Sequence, residues 1–135
     1  MALFLLTAQG VACGRVEQAR QCRGLAAIVN PALDTIEQRR SSGGETPATL
    51  RDLAGQYDQL ALALGRQSFI DHELQKLVAD HAKLFRSVAH NLRALASALE
   101  RAERPREQRI RSELDNLVRK QAILVRRIDH VCHGT

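Results

Sequence analysis

The chain has 135 residues, of which 44% are hydrophobic and 26% charged, and its formal net charge is +5. These proportions exclude wholesale disorder, and the length suits one domain with its own core. Aromatic residues make up only 3% of the chain, so Leu, Ala, Val and Ile have to fill that core, which favours helix packing. The sequence contains no apolar run long enough for a membrane-spanning helix.

An uncharged apolar segment, residues 1–12, opens the chain and leads through small residues to Cys13. The motif Gly10-Val-Ala-Cys13 resembles a bacterial lipobox, although that pattern usually has Leu where this chain has Gly10. The resemblance implies that Cys13 carries a diacylglyceryl group and becomes the mature N-terminus. A secretory signal also needs a basic n-region, which is missing, so we expect the true start to lie upstream. The alternative is an apolar arm packed on the domain, with Cys13 a buried thiol.

Residues 13–135 are predicted to form one helical domain. Apolar residues spaced three and four apart predict a first helix over residues 16–40. Asn30-Pro31 lies inside it, and we expect Pro31 to kink one continuous helix, although Asn30 could instead cap a new one. The loop 41–46 follows, and Thr46-Pro47 is typical of the start of a second helix, over residues 47–65.

The third and longest predicted helix covers residues 69–103, with Ser68 as its cap, and Arg104-Pro105 ends it. The fourth covers residues 106–133. Short links between four amphipathic helices predict an all-α, up-down-up-down four-helix bundle with a kinked first helix and a long third helix. Because the second helix is much shorter than the third, we expect the third to bend, break or overhang.

Cys22 lies near the start of the first helix and Cys132 near the end of the last. In an up-down-up-down bundle these two positions lie at the same end, so the topology allows a Cys22–Cys132 disulfide. Such a bond persists in an oxidising compartment, which agrees with export, and leaves Cys13 for lipidation. The alternative is two reduced thiols in a cytosolic bundle.

Motifs that would indicate a catalytic centre, a metal site or a cofactor are not found in the sequence, and we expect none of the three. His72, His81 and His90 are nine residues apart, which places neighbours on opposite sides of a helix, and His81 is expected to be a hydrogen-bonded core residue. Asp129-His-Val-Cys-His133 differs from the haem attachment pattern Cys-x-x-Cys-His because Asp129 replaces the first cysteine.

The basic character comes from seventeen Arg against three Lys, and acidic residues alternate with them along the last helix. This arrangement favours a solvated surface over a nucleic-acid site, because stacking aromatics and recognition motifs are missing. The leading expectation is therefore a non-enzymatic periplasmic lipoprotein, held to the membrane by Cys13 and in contact with an envelope protein or an anionic polymer. Gly14 after the cysteine, in place of Asp, implies the outer membrane for such a lipoprotein.

A cytosolic helical chaperone or adaptor is the alternative. Small Leu-rich helical chains of this kind are similar in general layout to the export chaperones of flagellar and type III secretion systems. The sequence leaves the oligomeric state of the chain open.

Overall fold

Four α-helices and no strand make up the part of the protein that the computed structural model describes, which is the backbone of residues 2–134 and the side chains of residues 14–134. The helices are α1 (Ala2–Gly43), α2 (Pro47–Gly65), α3 (His72–Glu100) and α4 (Arg104–His133). The all-helical prediction is therefore confirmed, and the bounds of α2 are those predicted.

Helix α1 passes through Pro31 without interruption, so the alternative of a second helix capped by Asn30 is wrong. Pro31 has no N–H to donate, and the Thr35 hydroxyl donates to the Pro31 carbonyl at 3.0 Å in the following turn. The helix starts at Ala2 and not near residue 16, because Ala and Leu, which are strong helix formers, make up half of residues 2–13. The signal-like segment 1–12 and Cys13 lie outside the residues whose side chains are described.

Side-chain caps fix the starts of α2 and α3. The Thr46 hydroxyl accepts a hydrogen bond from the Thr49 backbone N–H at 3.2 Å, as Thr46-Pro47 predicts. Helix α3 begins at His72 because Asp71 caps it, with its carboxylate accepting from the Leu74 N–H at 2.8 Å. The prediction that Ser68 caps this helix is wrong, since a carboxylate one residue before the helix accepts that bond.

The predicted break at Arg104-Pro105 is displaced, because α3 ends at Glu100 and Pro105 lies in the first turn of α4. A tight turn makes the connection: the Glu103 N–H donates to the Ala98 carbonyl at 3.0 Å, and the Ala102 N–H to the Leu99 carbonyl at 3.2 Å. This is the bonding of a Schellman motif, whose central residue adopts a left-handed conformation. Ala102 has φ 54°, which strains a residue that carries a Cβ.

Replacing Ala102 with glycine should therefore stabilise the protein. We expect Ala102→Gly to raise the free energy of unfolding by about 0.5–1 kcal/mol, because the relief of left-handed strain exceeds the extra entropy of glycine in the unfolded chain. The matched change Ala122→Gly, at an exposed position inside α4, should lower it by about 1 kcal/mol. Urea unfolding of both variants measures the two effects, and a shared sign would contradict the assignment of strain to Ala102.

Helix α3 supplies most of the core. It contributes thirteen buried residues, against six from α2 and two from α4. Helix α1 buries only Leu25 and Ile36 among its described side chains. Helix α3 packs against both α2 and α4, while α1 contacts α2 and, more sparingly, α4. The protein therefore depends on α3 for its core, and α1 makes the fewest contacts with other helices among the described residues.

Ion pairs join the helices at the end of the protein that holds residues 37–53 and 98–111, which we name the ion-pair end. The Arg39 guanidinium donates to both carboxylate oxygens of Asp52 at 2.8 Å, joining α1 to α2. Arg51 pairs with Glu100 across α2 and α3. Arg111 of α4 pairs with Glu45 of the loop that follows α1. These pairs are half exposed, so they fix orientation more than they add stability.

His81 is a core residue, as predicted, but its Nε2 atom has no hydrogen-bond partner, so the predicted hydrogen bond is not made there. The side chain is 3% exposed and its ring stacks on Phe85 with the centroids 4.3 Å apart. Burial lowers the pKa of His81 to about 4, because the charged imidazolium is disfavoured away from water. Burial likewise raises the pKa of Tyr57, whose ring lies 5.6 Å from that of Phe85.

Acid should destabilise the fold through His81. In the unfolded chain histidine has a pKa near 6.5, so between that pH and about 4 the unfolded state binds the extra proton. The stability contributed by neutral His81 is therefore full above the unfolded pKa and falls as the pH is lowered, by roughly 3 kcal/mol in total. Urea unfolding of the wild type and His81→Leu at pH 7 and pH 4 isolates this contribution. A wild-type loss no larger than that of the variant would contradict it.

Candidate functional site

Cys22 of α1 and Cys132 of α4 lie at disulfide-bonding distance. Their sulfur atoms are 2.01 Å apart and their Cα atoms 5.9 Å apart, although 110 residues separate them in sequence. The predicted juxtaposition of these two cysteines is confirmed. Both side chains are half buried and pack against the edge of the core cluster. The pair therefore links the first and last helices, which otherwise contact each other sparingly.

Two glutamine side chains of α1 make further links beside this pair. The Gln18 amide donates to the Val131 carbonyl of α4 at 3.1 Å. The Gln21 side-chain oxygen accepts from the Ile70 N–H of the α2–α3 loop at 3.2 Å. Residues 14–25, 66–76 and 122–134 thus meet at one end of the protein, which we name the cysteine end.

A shallow groove of about 350 Å³ opens at the cysteine end between α1 and the start of α3. Its walls are in nearly equal parts polar and apolar, and the residues that line it are Gly14, Gln18, Gln21, Ile70, Asp71 and His72. The Asp71 carboxylate is engaged as the cap of α3, so its charge is turned toward the helix N-terminus. Gly14 directly follows Cys13 in the sequence. The groove therefore lies within one helical turn of the predicted lipidation site.

The end of α4 completes this region. The Gly134 N–H donates to the His130 carbonyl at 2.7 Å, and Gly134 has φ 69°, so glycine ends the helix as expected. His130 and His133 lie exposed in the last turn. Cys132, the cysteine of the haem-like pattern, lies against Cys22.

In the part of the chain that the structure describes, no group of three or more His, Cys, Asp or Glu residues is placed to hold a metal ion. The three evenly spaced histidines are separated by burial, since His81 is in the core and His72 and His90 are exposed. The described helices include none that is both long and apolar enough to cross a membrane.

Sequence reasoning identified Cys22 and Cys132 but not the residues that support them. Gln18 and Gln21 resemble any polar residues on an amphipathic helix, so their tertiary bonds leave no pattern in the sequence. Asp71 could have been identified, because Asp followed by a run of helix formers is an ordinary helix start.

Comparisons with protein-family models, with curated proteins and with solved structures found no match to this chain.

The cysteine pair should be the main attachment of the first part of α1. Residues 14–24 include no buried side chain, and the first buried residue among the described side chains is Leu25. We expect Cys132→Ser to lower the free energy of unfolding by about 3–5 kcal/mol, because a closed loop of this length restricts the unfolded chain. In this variant the backbone amides of residues 14–25 should also exchange with solvent faster than in the wild type, and this increase should be larger than that of the amides in α2 and α3.

Peptide mapping without reductant, urea unfolding and hydrogen exchange measure these effects on protein purified from an oxidising compartment. Cys13→Ser is the control, and it should keep the Cys22–Cys132 peptide and the wild-type stability. Equal stability of the wild type with and without reductant would contradict the prediction.

Proposed function

We propose that this protein is an exported, lipid-anchored module of the bacterial envelope, attached through Cys13, with a structural or binding role and no catalytic one. The observation that carries the proposal is the approach of Cys22 and Cys132 to bonding distance. Two cysteines from opposite ends of a chain, brought together on the protein surface, form a stable bond where the surroundings are oxidising. The periplasm is such a compartment, and the third cysteine then belongs to the anchor.

The position of the predicted anchor supports the same proposal. Gly14, the residue after Cys13, lines the groove at the cysteine end, so a lipid on Cys13 would tether the protein by that end. The disulfide would fasten the anchored helix to α4. Force applied to the anchor would then reach the core through two covalent connections, the polypeptide chain of α1 and the disulfide. Gly14 in place of Asp after the cysteine favours the outer membrane for a lipoprotein of this kind.

The proposed architecture is an up-down-up-down bundle in which α1 bends at Pro31. Contacts at both ends support this topology: the cysteine end brings together the start of α3 and the end of α4, while the ion-pair end joins α1 to α2 and α2 to α3. A bend at Pro31 would allow α1 to follow both α2 and α4 along its length.

A cytosolic adaptor is the second candidate, and one observation favours it. A groove of about 330 Å³ between α3 and α4 is mostly apolar, and its lining includes Leu84, Leu117 and Leu124 together with Lys83, Lys120 and Asp80. An apolar groove between helices is a common site for a partner helix. The two candidates require different compartments, so the fate of Cys13 separates them.

Metabolic labelling tests the anchor. The chain is expressed in a bacterium with a short Lys- and Arg-containing segment placed before Met1, which supplies the n-region that export requires. We expect palmitate to label the protein and the labelled form to partition into detergent, because the Cys13 thiol accepts the lipid.

Cys13→Ser is the control, and Cys132→Ser is a second control that keeps the lipidation site. The Cys13 variant should lose the label and the Cys132 variant should keep it. Equal labelling of wild type and Cys13→Ser, or none of either, would contradict the lipoprotein proposal and favour the adaptor.

A further inference from the structure

Exposed apolar side chains are distributed unevenly along the protein. Among the described side chains, the large hydrophobic residues that are exposed all lie outside the ion-pair end: Val16, Leu62, Ile70, Val118, Ile123 and Val125. Four of them belong to the cysteine end: Val16 of α1, Ile70 of the α2–α3 loop, and Ile123 and Val125 of α4. The cysteine end thus presents apolar groups to its surroundings where the opposite end presents ion pairs.

Ile70 is the most exposed of these residues, at 73%. Its backbone is held from both sides, because its own N–H donates to Gln21 at 3.2 Å and the Phe69 N–H donates to the Gln75 side chain at 2.9 Å. Phe69 turns inward and packs against the core, while Ile70 points to solvent. On this hydrogen-bonded loop, Phe69 therefore faces the core and its neighbour Ile70 faces outward.

Most arginine side chains at the same end are in no ion pair among the described residues. In the described part of the chain, no ion pair involves five arginines of the cysteine end: Arg15, Arg23, Arg66, Arg126 and Arg127. The one ion pair there joins Arg20 to Glu17 at 3.7 Å, and both groups are exposed. At the ion-pair end most arginines are paired, with Arg104 and Arg109 as the exceptions.

Acidic residues at the cysteine end do not cancel this arrangement. Asp71 is engaged in capping α3 and Glu17 lies beside Arg20, which leaves Glu73 and Asp129 as the unengaged carboxylates in the three segments. The cysteine end therefore combines an exposed apolar side chain on a hydrogen-bonded loop with five arginines that are in no ion pair among the described residues. Anionic headgroups attract such cations, and an apolar side chain can bury itself at the boundary between headgroups and acyl chains.

We infer that the cysteine end is a membrane-contacting surface, in which Ile70 enters the headgroup region of an anionic phospholipid bilayer and the five arginines bind its headgroups. The inference rests on the proposed anchor, since Gly14, next to Cys13, lies in the same groove as Ile70. A lipid on Cys13 and the Ile70 side chain then engage one bilayer together. A diacylglyceryl group already holds a protein stably to a bilayer, and a second contact of this kind sets the orientation of the anchored protein.

Vesicle binding tests this surface without the anchor. The full chain carrying Cys13→Ser is mixed with vesicles of phosphatidylethanolamine and phosphatidylglycerol, and with vesicles of phosphatidylcholine alone, and the bound fraction is measured by sedimentation. We expect binding to the anionic vesicles that weakens as salt is raised. The segment 1–12 is present in every variant, so comparisons among variants report the cysteine end.

Two variants probe the surface and one is the matched control. Arg126→Gln/Arg127→Gln should weaken binding to anionic vesicles by about 10- to 30-fold, and Ile70→Ser by about fivefold. Arg104→Gln/Arg109→Gln removes the same charge from exposed positions at the opposite end, and it should leave binding nearly unchanged. Circular dichroism checks that each variant keeps its helices, which surface positions should allow.

Three results would overturn the inference. The first is an absence of vesicle binding. The second is an equal loss of binding in both double arginine variants, which would indicate general charge attraction. The third is a change of oligomeric state in Ile70→Ser, measured by sedimentation velocity, which would mean that Ile70 contacts a second copy of the chain. Palmitate labelling of the chain with Cys13 intact is independent of this assay. Labelling without vesicle binding therefore rejects the surface alone, and vesicle binding without labelling rejects the anchor alone.

Discussion

The burial of α3 is the constraint on which the rest of the protein depends. Thirteen of its residues are buried, and a helix that is apolar over so wide an arc needs neighbours on more than one side. Helices α2 and α4 supply them. This arrangement places His81 in an unfavourable environment. Its imidazole is buried against the Phe85 ring, and its Nε2 atom has no hydrogen-bond partner. Such a group stays neutral in the core, because a charged one would have no compensating partner there.

The two ends of the protein are held together by different chemistry. At the ion-pair end, arginines and carboxylates from neighbouring elements meet in exposed pairs, which are individually weak but define how the helices are oriented. At the cysteine end, the Cys22–Cys132 pair and two glutamine bonds attach a helix that has no buried side chain between residues 14 and 24. Most arginines of the ion-pair end are thus paired within the chain, while at the cysteine end five arginines are in no ion pair among the described residues and Ile70 is exposed.

Local rules predicted much of the secondary structure. The spacing of apolar residues gave four helices, and the Thr46-Pro47 start and the stop at Gly134 were predicted correctly because each depends on a few adjacent residues. Errors occurred where two local signals competed. Pro31 was tolerated inside α1 as expected, but Asp71 capped α3 in preference to Ser68, and the turn at Ala102 ended that helix before Pro105. The sequence does not predict this Schellman turn, because alanine occupies the left-handed position where such a turn usually has glycine.

The sequence by itself determined the helical class, the heptad-like apolar faces and the possibility that Cys22 and Cys132 meet, because periodicity and topology are encoded in spacing. Only the tertiary structure decided that the pair meets at 5.9 Å between Cα atoms, that Gln18 and Gln21 support it, and that Ile70 faces outward while Phe69 faces the core. The same holds for the sorting of arginines into paired and unpaired groups at opposite ends. These features depend on which side chains from distant segments come within a few ångströms of one another, and that distance is fixed by packing and not by sequence separation.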